Sequence, residues 1–260
     1  MGEKMRNAPI FFTIGQIRFN QNLDMHRHLE ALQTEFRKYS FSGFSEENLT
    51  SIQLDPSGAS PKVVPTNQKR WRFTNSKKTG EFVLFENSIS YQTTNYETSQ
   101  EFKSRLMNAI RIVHKELNLD YVEQIGFRTL DAIIPSQVHP LEIWLKPELL
   151  GLYSGTNDSL KHSILEGVSN IGPSGFLVQR VVILRGALAI PLDLMPIALT
   201  IDARFTSING WHAILDTDFT AREQFDFDLD VISERITAIK EEASKAFRSA
   251  VSTLALDLWR

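Results

Sequence analysis

The stretch KRWRFTNSKKTGEFVLFENSISYQTTNYETSQEFKSRLMNAIRIVHKELNL, Lys69 to Leu119, joins two kinds of periodicity. Lys69 to Thr74 and Glu81 to Thr93 are rich in β-branched and aromatic residues and flank Asn75 to Gly80, whose Asn and Gly tolerate positive φ. They read as a hairpin. Thr98 followed by Glu101 is a capping box, and Phe102, Leu106, Ile110, Val113 and Leu117 then trace one apolar stripe along a helix to about Leu119. A hairpin feeding a long amphipathic helix predicts an α+β fold of antiparallel sheets backed by helices.

Working outward, Ile10, Phe12, Ile14, Ile17 and Phe19 predict a first strand. Met25, Leu29, Leu32 and Phe36 share one face of a helix from about Asp24 to Tyr39. Phe41 to Gln68 is polar and turn-rich, with Pro56, Gly58, Pro61 and Pro65, and predicts a surface excursion around one short strand at Ser51 to Leu54. Beyond Leu119, Val122 to Ile134 predicts a strand and Pro140 to Leu150 a short helix ending at Gly151. Further strands are expected at His162–Ile171, Phe176–Leu188, Ile197–Ile208 and Trp211–Thr220, the last two forming an Asn209-Gly210 hairpin. Ile232, Ile236, Ile239, Ala243, Phe247, Ala250, Leu254 and Leu258 step by three or four. They predict a single terminal helix of roughly 28 residues, about 42 Å long. Strand, helix, strands, long helix therefore occurs twice, suggesting two similar β-α-β(n)-α halves, 1–120 and 121–260, packed as one globular unit.

Composition bounds the function. The 260 residues carry 42% hydrophobic and 23% charged side chains, enough for a packed core, and a formal net charge of -3 that gives no global attraction to polyanions. Cysteine is absent, so disulfides, thiolate zinc sites and thiol nucleophiles are excluded and a reducing, cytoplasmic setting is expected. Pro9 to Ile14 is too short for a signal peptide, and Gly186 to Ile201 is interrupted by Pro191, Asp193 and Pro196, so no membrane segment is expected.

Several short pieces together suggest a family. Pro9-Ile10 leading to Ile17-Arg18-Phe19, Arg70-Trp71-x-Phe73, Tyr91-Gln92-Thr93-Thr94-x-Tyr96, Ile125-Gly126-x-Arg128-x-x-Asp131 and Asp216-x-Asp218-Phe219 span both halves. In these the chain resembles, nearly end to end, a sporadically distributed and largely uncharacterised prokaryotic family of similar-length α+β proteins. The resemblance supplies no catalytic residues. Its patchy distribution implies a link to mobile or phage-defence loci.

Candidate chemistry is sparse. Asp216 and Asp218, two apart on a predicted strand, share a face and come closest to a hard-cation site, with Asp226, Asp228 and Asp230 nearby. A solvated strand face running into a helix N-terminus accounts for the same acids. His26 and His28 point to different sides of a helix, and His114, His139, His162 and His212 stand alone, so no base is singled out. Dinucleotide, P-loop, nucleophile-elbow and HExxH signatures are absent, and no cofactor is expected.

Lys69, Arg70, Arg72, Lys77 and Lys78 crowd around Trp71 and Phe73 and form the candidate binding surface. The strand period turns Arg70 and Arg72 away from the two aromatics, which favours core aromatics over base-stacking ones. Residues 1–130 hold 17 basic and 14 acidic side chains against 11 and 17 in the remainder, an asymmetry suited to head-to-tail or partner association. Three readings follow. The leading one is a non-enzymatic protein-binding or regulatory accessory module with a protein partner or homo-oligomer. The second is a nucleic-acid-binding accessory protein using the basic hairpin 69–78, and the third a metal-dependent enzyme using Asp216 and Asp218.

Overall fold

The computed structural model describes residues 7–55, 62–136, 138–155 and 160–259, and the side chains of all these except 50–55, 62–67, 154 and 155. Elements follow in chain order as β1 (Ile10–Phe19), α1 (Leu29–Lys38), β2 (Gly43–Asp55), β3 (Lys62–Thr74), β4 (Gly80–Phe85), β5 (Ser88–Thr93) and α2 (Ser99–Leu117). Then come β6 (Tyr121–Ile133), α3 (Leu141–Trp144), β7 (His162–Ile171), β8 (Gly175–Gly186), α4 (Ala203–Thr206), β9 (Gly210–Asp226), α5 (Leu229–Ala250) and α6 (Thr253–Trp259). The strands form one nine-stranded antiparallel sheet in the order β2-β3-β4-β5-β1-β6-β9-β8-β7. This is an α+β architecture.

One face of the sheet is roofed by helices. Alternate β-strand positions and the α2 stripe interlock: Phe102, Leu106 and Ile110 bury against Ile17, Phe19, Tyr91 and Phe127, joined by Ile232, Ile236 and Ile239 of α5. The expected cap is in place, with the Thr98 hydroxyl accepting from the Glu101 amide at 3.1 Å and Asn118 closing α2 in the left-handed region. Gly15 is required where α2 crosses β1, because a Cβ there would sit 2.8 Å from Leu106 Cδ2 and 2.9 Å from Phe102 Cε1.

Five expectations are corrected. The described part of the polar stretch 41–68 is mostly strand, since β2 and β3 pair over thirteen positions from Gly43↔Thr74 to Asp55↔Lys62, while the expected turn residues Pro56, Gly58 and Pro61 lie outside the described residues. The expected strand at 81–93 is two strands, β4 and β5, that pair with each other around Glu86-Asn87. Ile197 to Ile208 is not a strand and makes no hairpin with β9. Pro191 and Pro196 cannot donate to a ladder, Asp202 caps α4 through the Arg204 amide, and Leu199, Phe205 and Ile208 instead bury on Phe11, Phe12, Leu130 and Ile214. The segment thus covers the second face of the sheet. The terminal helix breaks at Val251-Ser252, where Val251 bridges to Leu145 and the Ser252 hydroxyl bonds the Ile143 carbonyl and caps Ala255. Phe247 ends only partly buried, tilted against Trp259. The short helix expected at 140–150 reduces to α3 followed by 3-10 turns at Pro147–Leu149 and Gly151–Gly155.

Candidate functional site: the β7 edge and the charge ladder behind it

The outermost strand on one side of the sheet is β7, and it is unusually bare. Its sequence HSILEGVSNI lacks the alternation of a half-buried strand, and seven of its inner positions from Ile164 to Asn170 are all exposed. Ile164 and Val168 are 60% and 64% exposed and Leu165 40%. Edge strands normally carry lysine, proline or a bulge that discourages pairing. In β7 none of these interrupts the ten residues.

Hydrogen-bond parity shows which main-chain groups are free. The Arg185 amide donates to the Lys161 carbonyl at 3.4 Å, and the β7–β8 register pairs His162 with Leu184 without a shift to Ile171↔Gly175. In an antiparallel ladder the hydrogen-bonded pairs alternate, so odd β7 residues face β8. The N–H and C=O groups of Ile164, Glu166, Val168 and Asn170 therefore point away from the sheet. The register also sets Leu165 beside Val181 and Val181 beside Leu215, placing odd side chains on the helix-covered face and even ones on the other.

A groove of about 420 Å³ opens beside this edge. Val181 and Leu215 form its floor, with Leu149, Leu165 and Ala250 on its walls. A Cβ built on Gly167 meets nothing within 4 Å, so the groove's outer rim is open at that residue.

On the opposite face, alternating charges run inward from β7 across four strands. Arg180 donates to Glu166 at 2.5 Å and to Asp216 at 3.2 Å, and Arg128 grips Asp216 through Nε at 2.7 Å and Nη2 at 2.8 Å. Arg128 then reaches Asp193, in the segment that covers this face, at 2.5 Å. Burial opposes the Arg128 charge, but the bonds from Asp216 and Asp193 outweigh it and hold the guanidinium more firmly protonated than usual. Burial raises the Asp193 carboxyl too, and the Arg128 hydrogen bond overrides that and lowers it. Desolvation raises Asp218, whose nearest cation is Arg128 at 3.9 Å. Asp218 and Arg128 line a smaller cavity of about 200 Å³ with Gln16, Gln124 and Thr220.

The structure brings Asp216 and Asp218 onto one face, as their spacing implies. Asp216 offers both oxygens to guanidinium donors, and among the described residues no group of three or more His, Asp or Glu side chains is placed to hold a metal. Asp226 ends β9, and Asp228 caps α5 by accepting from the amides of Asp230 and Val231.

The basic hairpin is divided. Trp71 and Phe73 are core residues. Lys69 pairs with Glu46 at 3.1 Å, Arg70 donates to Glu47 at 2.9 Å, and Arg72 is buried with Glu81, its Nε 2.9 Å from Oε2. Lys77 and Lys78 stand exposed in the turn. His212 is fully buried, bonded through Nδ1 to the Gly210 carbonyl, and His114 stacks on Phe227 at 3.9 Å. Both are packing residues.

Sequence reasoning missed the ladder because its members come from β6, β7, β8, β9 and the covering segment; only the Asp216, Asp218 spacing pointed toward it. It also missed the bare edge, though the absence of charge alternation in 162–171 was the available signal. No family model and no curated protein matches this chain. Among the described residues no helix is long and apolar enough to cross a membrane.

Proposed function

We propose that this protein is a protein-binding, regulatory or accessory module that recruits its partner by adding a strand to β7. One observation carries the reading: β7 ends a nine-stranded sheet with an unbroken row of outward main-chain groups and exposed Ile164 and Val168. Strand addition satisfies such groups and draws affinity from them, while alternate side chains supply selectivity. The pairing of Lys69, Arg70 and Arg72 with carboxylates weighs against the nucleic-acid reading. The engagement of Asp216 by two arginines weighs against the metal-enzyme reading.

The expectation of two similar halves belongs to this proposal. Its support is the sheet order, in which the first strands β1 and β6 lie side by side and the last strands β5 and β9 flank them. A cytoplasmic setting, and a role in mobile or defence loci, rest on the absence of cysteine and on the family resemblance.

Proline scanning tests the reading. Val168→Pro removes an outward N–H without touching the β8 ladder, whereas Ser169→Pro deletes a ladder bond. Wild-type bait in host lysate is expected to retain a partner that Val168→Pro loses at least about tenfold, with the melting temperature of Val168→Pro near that of wild type. Equal retention on both baits contradicts strand addition.

A further inference from the structure

Resting on that reading, we propose that the occupant of β7 is an extended segment that places one large apolar side chain over Gly167 into the neighbouring groove and a cation beside Glu148. In a strand paired with β7, the residue opposite Gly167 faces the helix-covered side of the sheet, because side-chain direction is shared by residues directly across a ladder. The missing Cβ at Gly167 leaves a gap through which that side chain reaches the floor formed by Val181 and Leu215. The groove's volume, about 420 Å³, is in the range of sites that take a ring-sized group. Its walls are apolar at Leu149, Leu165 and Ala250.

Charge sets the flanking chemistry. Glu166 and Asp216 turn their carboxylates to the opposite face, where Arg180 matches both. Glu148 is exposed on the wall and has no ion-pair partner among the described residues. The part of the chain after residue 130 holds 17 acidic and 11 basic side chains, so a lysine or arginine in the incoming segment is electrostatically favoured there. A second copy of this chain offered through its own β7 is the poorer occupant, because it would bring two acidic halves together and set a strand with a glycine, not a large apolar residue, at its centre.

The probe is a synthetic peptide, acetyl-RTVTFTVTR-amide, whose valines and central phenylalanine share one face, compared with the same peptide carrying alanine at the centre. Isothermal titration against the full chain is expected to show the phenylalanine peptide binding at least about tenfold tighter than the alanine peptide. Gly167→Leu, which has open space for its side chain, should reduce the phenylalanine peptide to the alanine level while circular dichroism and thermal melting stay unchanged. Glu148→Gln should weaken both peptides alike.

Equal affinities for the two peptides, unchanged by Gly167→Leu, overturn the groove inference and leave strand addition standing, provided that Val168→Pro still abolishes both. Absence of binding by either peptide, or binding indifferent to Val168→Pro, overturns both. Sedimentation of the free protein as a concentration-dependent dimer lost in Val168→Pro would replace the peptide-like occupant with a second copy.

Discussion

Burial acts strongly on Asp131. It sits on the helix-covered face beside a row of buried threonines, Thr93, Thr13, Thr129 and Thr217, that runs in register across β5, β1, β6 and β9. Burial pushes its carboxyl up to about 7; the Thr129 hydroxyl, 3.3 Å away, opposes this, and the charge of Asp216 adds to it. Because the folded value lies above the unfolded one, stability linked to this group is intact below pH ~4 and is lost as pH climbs toward ~7. Asp131→Asn removes that loss. The difference in unfolding free energy between Asp131→Asn and wild type is therefore expected to grow from pH ~4 to pH ~7, by at most ~1.4 kcal/mol per pH unit, and to level off above that. Urea titrations at four pH values check it, and a flat difference contradicts it. The family-like Ile125-Gly126-x-Arg128-x-x-Asp131 piece thus marks two residues of opposite environment, Arg128 on the ladder face and Asp131 on the helix face.

At the scale of elements, α2 and α5 hold the sheet through their stripes. Ile236 is buried in the main core, so Ile236→Ala is expected to cost about 2–5 kcal/mol in chemical denaturation. Phe247 is only partly buried, and Phe247→Ala should fall below the ~3–5 kcal/mol of a fully buried ring. A Phe247 effect exceeding that of Ile236 would contradict the break at Val251-Ser252, which draws Trp259 back over Phe247. The α2 helix, β1, β6 and β8 were legible because cap, periodicity and turn residues agree locally. The terminal break was not, since the Ile232-to-Leu258 stripe continues in phase across it. What interrupts the helix is a long-range bridge from Val251 to Leu145. Likewise Ile197–Ile208 shows strand-like apolarity, but its apolar residues bury by lying across the sheet face, a tertiary outcome that local pattern does not distinguish from pairing. The candidate site was legible only in pieces, because an edge is a property of strand order and a ladder of register.

For the whole molecule, charge and edge point the same way. Three of the five cations in the 69–78 hairpin are bound to Glu46, Glu47 and Glu81, leaving Lys77 and Lys78 to meet a phosphate backbone. Two phosphate contacts predict a log–log salt slope near -1.8 on duplex DNA, against about -3.6 for four. Fluorescence anisotropy at low and high salt is expected to show no submicromolar binding to DNA or RNA. Submicromolar binding with the steeper slope, abolished by Arg70→Glu with Arg72→Glu, would restore the nucleic-acid reading. The central claim concerns the opposite end of the sheet, where the parity of β7 gives a residue-level signature. Amide hydrogen exchange read by NMR measures it most directly. In the free protein the amides of Leu165, Gly167 and Ser169 should exchange slowly and those of Ile164, Glu166, Val168 and Asn170 quickly. On saturation with the protein recovered by the wild-type bait, the four even amides should slow by at least about tenfold. Even amides that stay fast in the saturated complex would contradict strand addition at β7.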